Sequence, residues 1–340
     1  MAERTTINIL GVETSCDETS AAIVRDGREI IAEVTSSQID IHRLYGGVVP
    51  EIASRNHLLM LPYIVDEALK EAQMAISDVD VVAVTNGPGL VGALLVGLSY
   101  AKALAYAAKK PLVGVHHIKG HIAAAYLQYA QLKPPFLCLV ISGGHTNIVH
   151  VKGYCEMESL GRSRDDAVGE AFDKVARCLG LPYPGGPEID RCARLGNAEA
   201  IDFPRVLLEK DSLDFSFSGL KSAVINYLNT KKMKDEPFDI YDVAASFQEA
   251  AIDVLCEKID IAAKRIGESK IVLCGGVACN SRLRQRMWQL GEREGYELFV
   301  PDVKYCTDNA AMIASDAYYE YMTGKRSDIL LNAEPSLKLS

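Results

Sequence analysis

The hydrophobic positions of the chain follow two periods, and they do so twice. Residues 6–13 (TINILGVE) form an apolar, β-branched run, followed by the polar turn Thr14-Ser15-Cys16-Asp17-Glu18-Thr19. Residues 20–24 and 29–34 read as two more short strands, with Asp26-Gly27 as the hairpin signal between them. Residues 51–73 have helical spacing, 79–84 read as a strand, 87–89 as a Gly turn, 90–108 as a helix and 111–115 as a strand. The order then restarts. Residues 135–141 are an apolar run, Ser142-Gly143-Gly144-His145-Thr146 is the turn, and 147–151 is the return strand. Residues 165–180 and 241–266 read as helices, 270–274 as a strand, Gly275-Gly276 as a turn, 280–294 as a helix and 298–300 as a short strand, and a last helix begins near Asp308.

This is a weak internal duplication of pattern, not of residues. Lys133-Pro134-Pro135 stops the helix before the second half, so the expected domains are 1–132 and 133–340, the latter with a helical insertion near 160–240. Such a duplicated α/β chain would hold a ligand in a cleft between its halves, where Gly turns at strand ends present backbone N–H groups to a phosphate.

The uncharged stretch 81–101 has the length of a membrane span. Asn86-Gly87-Pro88-Gly89 interrupts it and Lys102 follows it, so a buried strand, a turn and a buried helix account for it better. The N-terminal MAERTTINILGVE lacks a cationic start before a long apolar run, which argues against a signal peptide. With 340 residues, 49% of them hydrophobic, the chain can build a sizeable core. Its 36 Lys plus Arg against 45 Asp plus Glu give a net charge of −9, which excludes a strongly basic nucleic-acid binder but not a nucleic-acid enzyme with a local basic strip or a partner. Nine cysteines at irregular spacings, without a CxxC pair, point to a reducing, cytoplasmic compartment.

His117 and His121 lie at i and i+4, on one face of a helix, and could share a metal. A zinc protease would need Glu directly after the first His, and Ile118 stands there. Asp308 could be a third ligand, although by spacing alone it reads better as the N-cap of the last helix. Two imidazoles and one carboxylate would suit Fe or Zn and leave open positions. Glu13, Asp17 and Glu18 form an acidic turn after the first strand, either solvated or available as metal ligands or general base. Ser142-Gly143-Gly144-His145-Thr146 is a tight hairpin or a ligand loop. Gly275-Gly276-Val277-Ala278-Cys279-Asn280 sits where an anion meets a helix N-terminus, and Asn280 could cap the helix or bind a base or ribose. Asp166, Glu170 and Asp173 read as one solvated helix face, and Arg282, Arg284 and Arg286 as solvated surface.

Taken in order, Glu13-Thr14-Ser15-Cys16-Asp17-Glu18-Thr19, the His117/His121 pair, Ser142-Gly143-Gly144-His145-Thr146, Gly169-Glu170-Ala171-Phe172-Asp173-Lys174, Tyr183-Pro184-Gly185-Gly186-Pro187, Gly275-Gly276-Val277-Ala278-Cys279-Asn280 and Cys306-Thr307-Asp308-Asn309-Ala310 closely resemble the TsaD family over about residues 7–327. These are the tRNA N6-adenosine threonylcarbamoyltransferases. The resemblance implies a duplicated actin-like fold of the sugar-kinase and heat-shock-ATPase type. It implies transfer of threonylcarbamoyl from threonylcarbamoyl-AMP to N6 of the adenosine next to the anticodon in tRNAs reading ANN codons. It implies one divalent metal, Fe or Zn, on His117, His121 and Asp308, and a substrate loop of Val140, Ile141, Ser142, Gly143 and Gly144. Contacts to the adenylate fall on Asp173, Gly186, Asp190 and Asn280, and chemistry on Asp17 or Glu18. The partners implied are tRNA, a TsaB-like paralogue and a TsaE-like ATPase, with the adenylate made by a TsaC-type enzyme. The competing readings are a metalloprotease, a carbohydrate kinase or ATPase on the same fold, and a scaffold without activity.

Overall fold

The computed structural model describes residues 6–207, 209 and 212–339. The first five residues of the N-terminal reading lie outside them, as do residues 208, 210 and 211 of the 160–240 segment. The chain forms two compact units, one of residues 1–134, 153–157 and 307–340, the other of residues 135–152 and 158–306.

In the first unit, β1 (Asn8–Glu13), β2 (Glu18–Arg25) and β3 (Glu29–Ser37) form an antiparallel meander. β4 (Val81–Gly87) pairs parallel with β1, and β5 (Leu112–His116) parallel with β4, giving the order β3-β2-β1-β4-β5. The apolar runs of β1 and β4 are continuous because helices cover both faces. On one face α2 (Pro50–Glu71) and α3 (Val91–Ala108) bury Leu61, Ile64, Val65, Leu98 and Ala101 against Leu10, Val12 and Val84. On the other, α4 (His117–Gln128) packs with α11 (Ala310–Met322). α11 approaches β1 so closely that a Cβ on Gly11 would stand 2.4 Å from Ala310 O. The short α1 (Ile39–Arg43) follows β3.

By length and mean hydropathy (1.5), α3 alone among the described helices could cross a membrane. Its Ala93, Leu94, Gly97, Leu98, Ala101 and Ala105 are instead buried in the core of this unit, after the strand and turn expected over 81–89.

The second unit repeats the plan. β6 (Phe136–Ile141), β7 (Thr146–Val151) and β8 (Met157–Arg162) form the meander, and β9 (Lys270–Cys274) and β10 (Glu297–Phe299) continue it in parallel, in the order β10-β9-β6-β7-β8. Counted within each unit, both sheets therefore run third-second-first-fourth-fifth, and the duplication is one of topology. Three helices, α5 (Val168–Cys178), α6 (Gly185–Ala193) and α7 (Ser218–Met233), pack with the long α8 (Ile240–Ile266) into one core built on Phe172, Phe215, Phe217 and Phe247. α9 (Ser281–Glu294) and the short α10 (Val303–Cys306) complete the unit. Cys138 and Cys274 are buried within the paired β6 and β9.

The arginines of α9 depart from the solvated surface expected of them. Arg282 and Arg286, one turn apart, both grip Glu249 of α8, and Arg284 donates to Ala278 O (2.7 Å) and Pro301 O (2.6 Å). The i,i+4 spacing puts Arg282 and Arg286 on the face toward α8.

Candidate functional site

β5 ends at His116, whose Nδ1 accepts a hydrogen bond from Ile118 N (3.1 Å) and so caps α4. That cap starts the helix at His117 and sets His117 and His121 one turn apart, with ring centroids 4.6 Å apart and edge to face. Ile118, where a zinc protease needs its base, is buried.

The N-cap of α11 is Asn309, whose Oδ1 accepts from Met312 N (2.8 Å). This corrects the expectation from spacing that Asp308 caps the helix. Relieved of that task, Asp308 brings Oδ1 to 3.1 Å from His121 Nε2 and 3.6 Å from His117 Nε2. One donor atom from each of the three residues lies within 4.8 Å of the others.

His121 is wholly buried, and neither of its ring nitrogens makes a hydrogen bond. A buried polar group without a partner costs on the order of 1–3 kcal/mol. A metal ligated by Nε2 would remove much of that cost, so the trio fits a divalent ion. Two imidazole nitrogens and a carboxylate leave further positions open.

Behind His117 stands Glu13, at the end of β1 and fully buried. It accepts from Ser15 N (2.5 Å) and Thr85 Oγ1 (2.6 Å) and lies 3.3 Å from His117 Nδ1. A carboxylate on the far nitrogen fixes the tautomer and aims Nε2 at Asp308. Burial works against ionising Glu13, but the His117 charge and hydrogen bond, with the Thr85 hydroxyl, hold it below the usual carboxylate range. Burial likewise opposes charging His117, yet the Asp308 and Glu13 carboxylates raise it to about 9. Ser15 and Thr85 were not singled out from the sequence. Thr85, like the neighbouring Asn86, is a polar residue in a wholly buried strand, and that was the available signal.

The acidic turn is braced from behind. His57 of α2 bridges Cys16 O (2.9 Å) and Thr19 Oγ1 (2.8 Å), and burial lowers its pKa. Thr14 Oγ1 donates to Ala93 O (2.9 Å), and a Cβ on Gly97 would stand 2.3 Å from that hydroxyl oxygen. Asp17 is buried. Burial and the neighbouring Asp17 and Asp308 carboxylates push Glu18 up to about 10. Ser37 Oγ donates to its Oε1 (3.2 Å). The Asp308 carboxylate thus acts electrostatically on Glu18.

The remaining residues gather in the second unit. Val140 and Ile141 end the buried β6, and Ser142 N donates to His145 O (2.8 Å) across Gly143 and Gly144. Gly275 (φ 88°) and Gly169 bring their backbones onto this loop, where a Cβ would stand 2.4 Å from Ile141 O and 2.5 Å from Ser142 O respectively. At Gly143, Gly144, Gly186 and Gly276, by contrast, a Cβ would meet nothing within 4 Å, so packing does not demand glycine there.

Asp173 accepts from Gly185 N (2.7 Å), beside Gly186. Asp190 accepts from Ser281 Oγ (2.8 Å) and from Arg194 (2.7 Å). Asn280 caps α9 through Leu283 N (2.9 Å) and donates to Gln248 Oε1 (2.7 Å). The acidic face expected around Asp166 is not simply solvated, since Asp166 binds Lys221 (2.5 Å) and Lys174 (2.9 Å).

The family profile described as TsaD, tRNA N6-adenosine threonylcarbamoyltransferase, matches residues 29–315. The tRNA N6-adenosine threonylcarbamoyltransferase of Clostridium botulinum (strain Hall) is 56% identical over 333 residues, covering 98% of each chain. Among solved structures, HypF of T. kodakarensis superposes with a TM-score of 0.65 at 13% identity, covering 94% of this chain and 48% of its own. Component A of the (R)-2-hydroxyglutaryl-CoA dehydratase of Acidaminococcus fermentans does so with a TM-score of 0.55 at 17% identity, covering 93% and 99%. These two likenesses concern the fold alone, a duplicated actin-like α/β architecture.

Proposed function

The chain belongs to the family of the tRNA N6-adenosine threonylcarbamoyltransferases, and from that premise we propose that it transfers threonylcarbamoyl from threonylcarbamoyl-AMP to N6 of the adenosine next to the anticodon in tRNAs reading ANN codons. The observation that carries this reading is the fully buried His121, without a hydrogen bond at either ring nitrogen, beside His117 and Asp308.

The exocyclic amine of adenine is a poor nucleophile because its lone pair is delocalised into the ring. The acyl donor must therefore be strong and well placed. A carbamoyl–phosphate mixed anhydride is strong, and placement falls to the protein. The N6–carbon bond forms, the carbon–oxygen bond to phosphate breaks, AMP leaves with the electron pair, and the N6 proton needs an acceptor. Burial and the Asp17 and Asp308 carboxylates raise the Glu18 pKa, which favours its protonated form. We therefore assign the acceptor role to Asp17 and a hydrogen-bonding role to Glu18.

His117, His121 and Asp308 would hold one divalent ion, Fe or Zn, which when bound supplies Lewis-acid polarisation of the threonylcarbamoyl carbonyl. Glu13 orients His117 for that task. The loop of Val140, Ile141, Ser142, Gly143 and Gly144 receives the adenylate, a reading supported by the open space at Gly143 and Gly144. Asp173, Gly186, Asp190 and Asn280 complete the adenylate site. Asp190 accepts from Ser281, the first residue of α9, and Asn280 caps the same helix.

The net charge of −9 supports dependence on partners for tRNA. We assign these as a TsaB-like paralogue and a TsaE-like ATPase, with the adenylate made by a TsaC-type enzyme. A cytoplasmic location is supported by the nine free cysteines.

The test supplies unmodified tRNA, threonine, bicarbonate, ATP and the partners, and reads nucleosides by mass spectrometry. Threonylcarbamoyladenosine from the wild type but not from His117→Ala supports both the reaction and the ligand. Equal product from both discards the ligand role. ATP consumed without tRNA, and no modified nucleoside, replaces the transferase reading by a kinase or ATPase.

A further inference from the structure

Beyond α11 the chain returns to β5 and then reaches the end of β4. Ser327 N donates to Leu112 O (2.8 Å), and Ser327 Oγ accepts from Gly114 N (3.0 Å). Residues 331–338 then run without helix or strand. Leu331 and Ala333 pack on the core of this unit, and Leu331 O accepts from Lys102 Nζ (2.5 Å). Glu334 N donates to Asn86 O (2.8 Å), Gly89 N donates to Pro335 O (3.2 Å), and a turn closes from Leu337 N to Glu334 O (3.0 Å). Two glycines admit this segment. A Cβ on Gly114 would stand 2.8 Å from Leu331 Cδ2, and one on Gly87 would collide with Glu334 O and stand 3.1 Å from Leu337 Cβ.

The segment meets β4 where the ladder to β5 is interrupted. Thr85 pairs with Val115 and Gly87 with His116, so the buried Asn86 has no residue opposite it in β5. An irregularity of this kind leaves a backbone group that needs another partner. Glu334 N–H supplies it for Asn86 O.

The neighbours of this contact hold the candidate metal centre. Thr85, the preceding residue, donates its hydroxyl to Glu13 Oε2 (2.6 Å). Gly89 lies against Ser15, where a Cβ would stand 2.7 Å from Ser15 O, and Leu90 N donates to that same oxygen (2.9 Å). Ser15 in turn donates its N–H to Glu13 Oε1 (2.5 Å), and its hydroxyl lies 3.2 Å from His117 Nδ1. On the β5 side, burial with the charges of His117 and Lys119 lowers the pKa of the capping His116 to about 4, against the opposing pull of the Leu337 and Lys338 backbones.

We propose that residues 331–338 are a brace that positions Glu13 and His117 through the backbone of residues 85–89, an inference that rests on the metal-site reading above. The brace acts at one remove. It fixes the backbone that carries Thr85 and abuts Ser15, these two hold Glu13, and Glu13 aims the His117 ring.

The test compares the full chain, metal-free and then titrated with Zn, with Leu331→Asp/Leu337→Asp, which charges the two side chains seated over Gly114 and Gly87. Thermal melting checks folding, and Leu331→Ala/Leu337→Ala replaces the double variant if that one melts early. In the metal-free protein, amide exchange at Ser15, read by NMR, rises about tenfold, while exchange in β2 and β3 keeps the wild-type rate. Zn affinity, read by competition with a chelator, falls about tenfold. In a Glu13→Gln background the same substitutions cost nothing further, because the brace acts through that carboxylate.

Unchanged exchange at Ser15, an equal rise in β2 and β3, unchanged Zn affinity, or a loss that adds in full to that of Glu13→Gln overturns the proposal. A wild type that takes up no Zn refutes the ligand reading, and the exchange measurement then decides the brace by itself.

Discussion

Asp308 Oδ1 stands 3.1 Å from His121 Nε2, and the approach lacks the alignment of a hydrogen bond, so the buried His121 ring stays unsatisfied. Such an arrangement is costly for a protein that holds only its own side chains there and is relieved by a cation. Metal binding to the native state alone should stabilise it, by about 2.7 kcal/mol at a hundredfold excess over Kd. Adding Zn or Fe(II) to chelator-treated protein is therefore expected to raise Tm by a few degrees. His121→Leu, close in volume, should remain folded and lose that shift. A shift of the same size in His121→Leu would remove His121 from the ligand set.

Glu13 makes the second prediction. With its oxygens on Ser15, Thr85 and His117, it holds the His117 ring in place. Glu13→Gln keeps the volume and turns one acceptor into a donor, which conflicts with Ser15 N–H or Thr85 O–H. Metal affinity, measured by competition with a chelator of known strength, should fall about 10–100-fold. Unaltered affinity would leave Glu13 as a structural carboxylate only.

The third concerns pH. His117 in the metal-free protein is raised from the ordinary 6.5 to about 9. A raised folded-state pKa contributes stability in full below the unfolded value and loses it as pH climbs through the folded one. Metal-free protein should therefore lose stability between pH 6.5 and 9 through this group. Metal uptake must displace the same proton, so apparent affinity should rise about tenfold per pH unit over that window. Calorimetric titration in buffers of different ionisation enthalpy counts the protons released, and an uptake without proton release below pH 8 would contradict the assignment.

Much of this centre was legible in the sequence, for identifiable reasons. The i,i+4 spacing of His117 and His121 needs only a helix, and the helix needs only a strand ending before it. The matching topology of the two sheets followed from a hydrophobic pattern that starts over at residue 135. Asp308 was harder, because Asp and Asn both cap helices and they stand side by side. Spacing favoured Asp308 for the cap, and only the geometry of Asn309 reverses that. Glu13 was grouped with Asp17 and Glu18 by proximity, whereas its partners Thr85 and His117 lie 72 and 104 residues away. β8 left no clear signal because its half-exposed MESLGR has no clean alternation.

The acidic pair gives the sharpest contrast. Asp17 and Glu18 are adjacent in sequence, yet burial and the Asp17 and Asp308 carboxylates push the Glu18 pKa up to about 10. Replacing a protonated glutamic acid by glutamine changes little in charge, so Glu18→Gln should lose less than about tenfold in kcat. Asp17→Asn removes the proposed proton acceptor and should lose on the order of 10²–10⁴ in kcat. Both variants should bind the proposed donor, threonylcarbamoyl-AMP, with the affinity of the wild type, which separates chemistry from binding. Single-turnover rates with preformed adenylate and saturating tRNA measure the step directly. The reverse order, Glu18→Gln inactive and Asp17→Asn near wild type, would move the base to Glu18. That result would also require bound substrate or metal to pull the Glu18 pKa down into the neutral range.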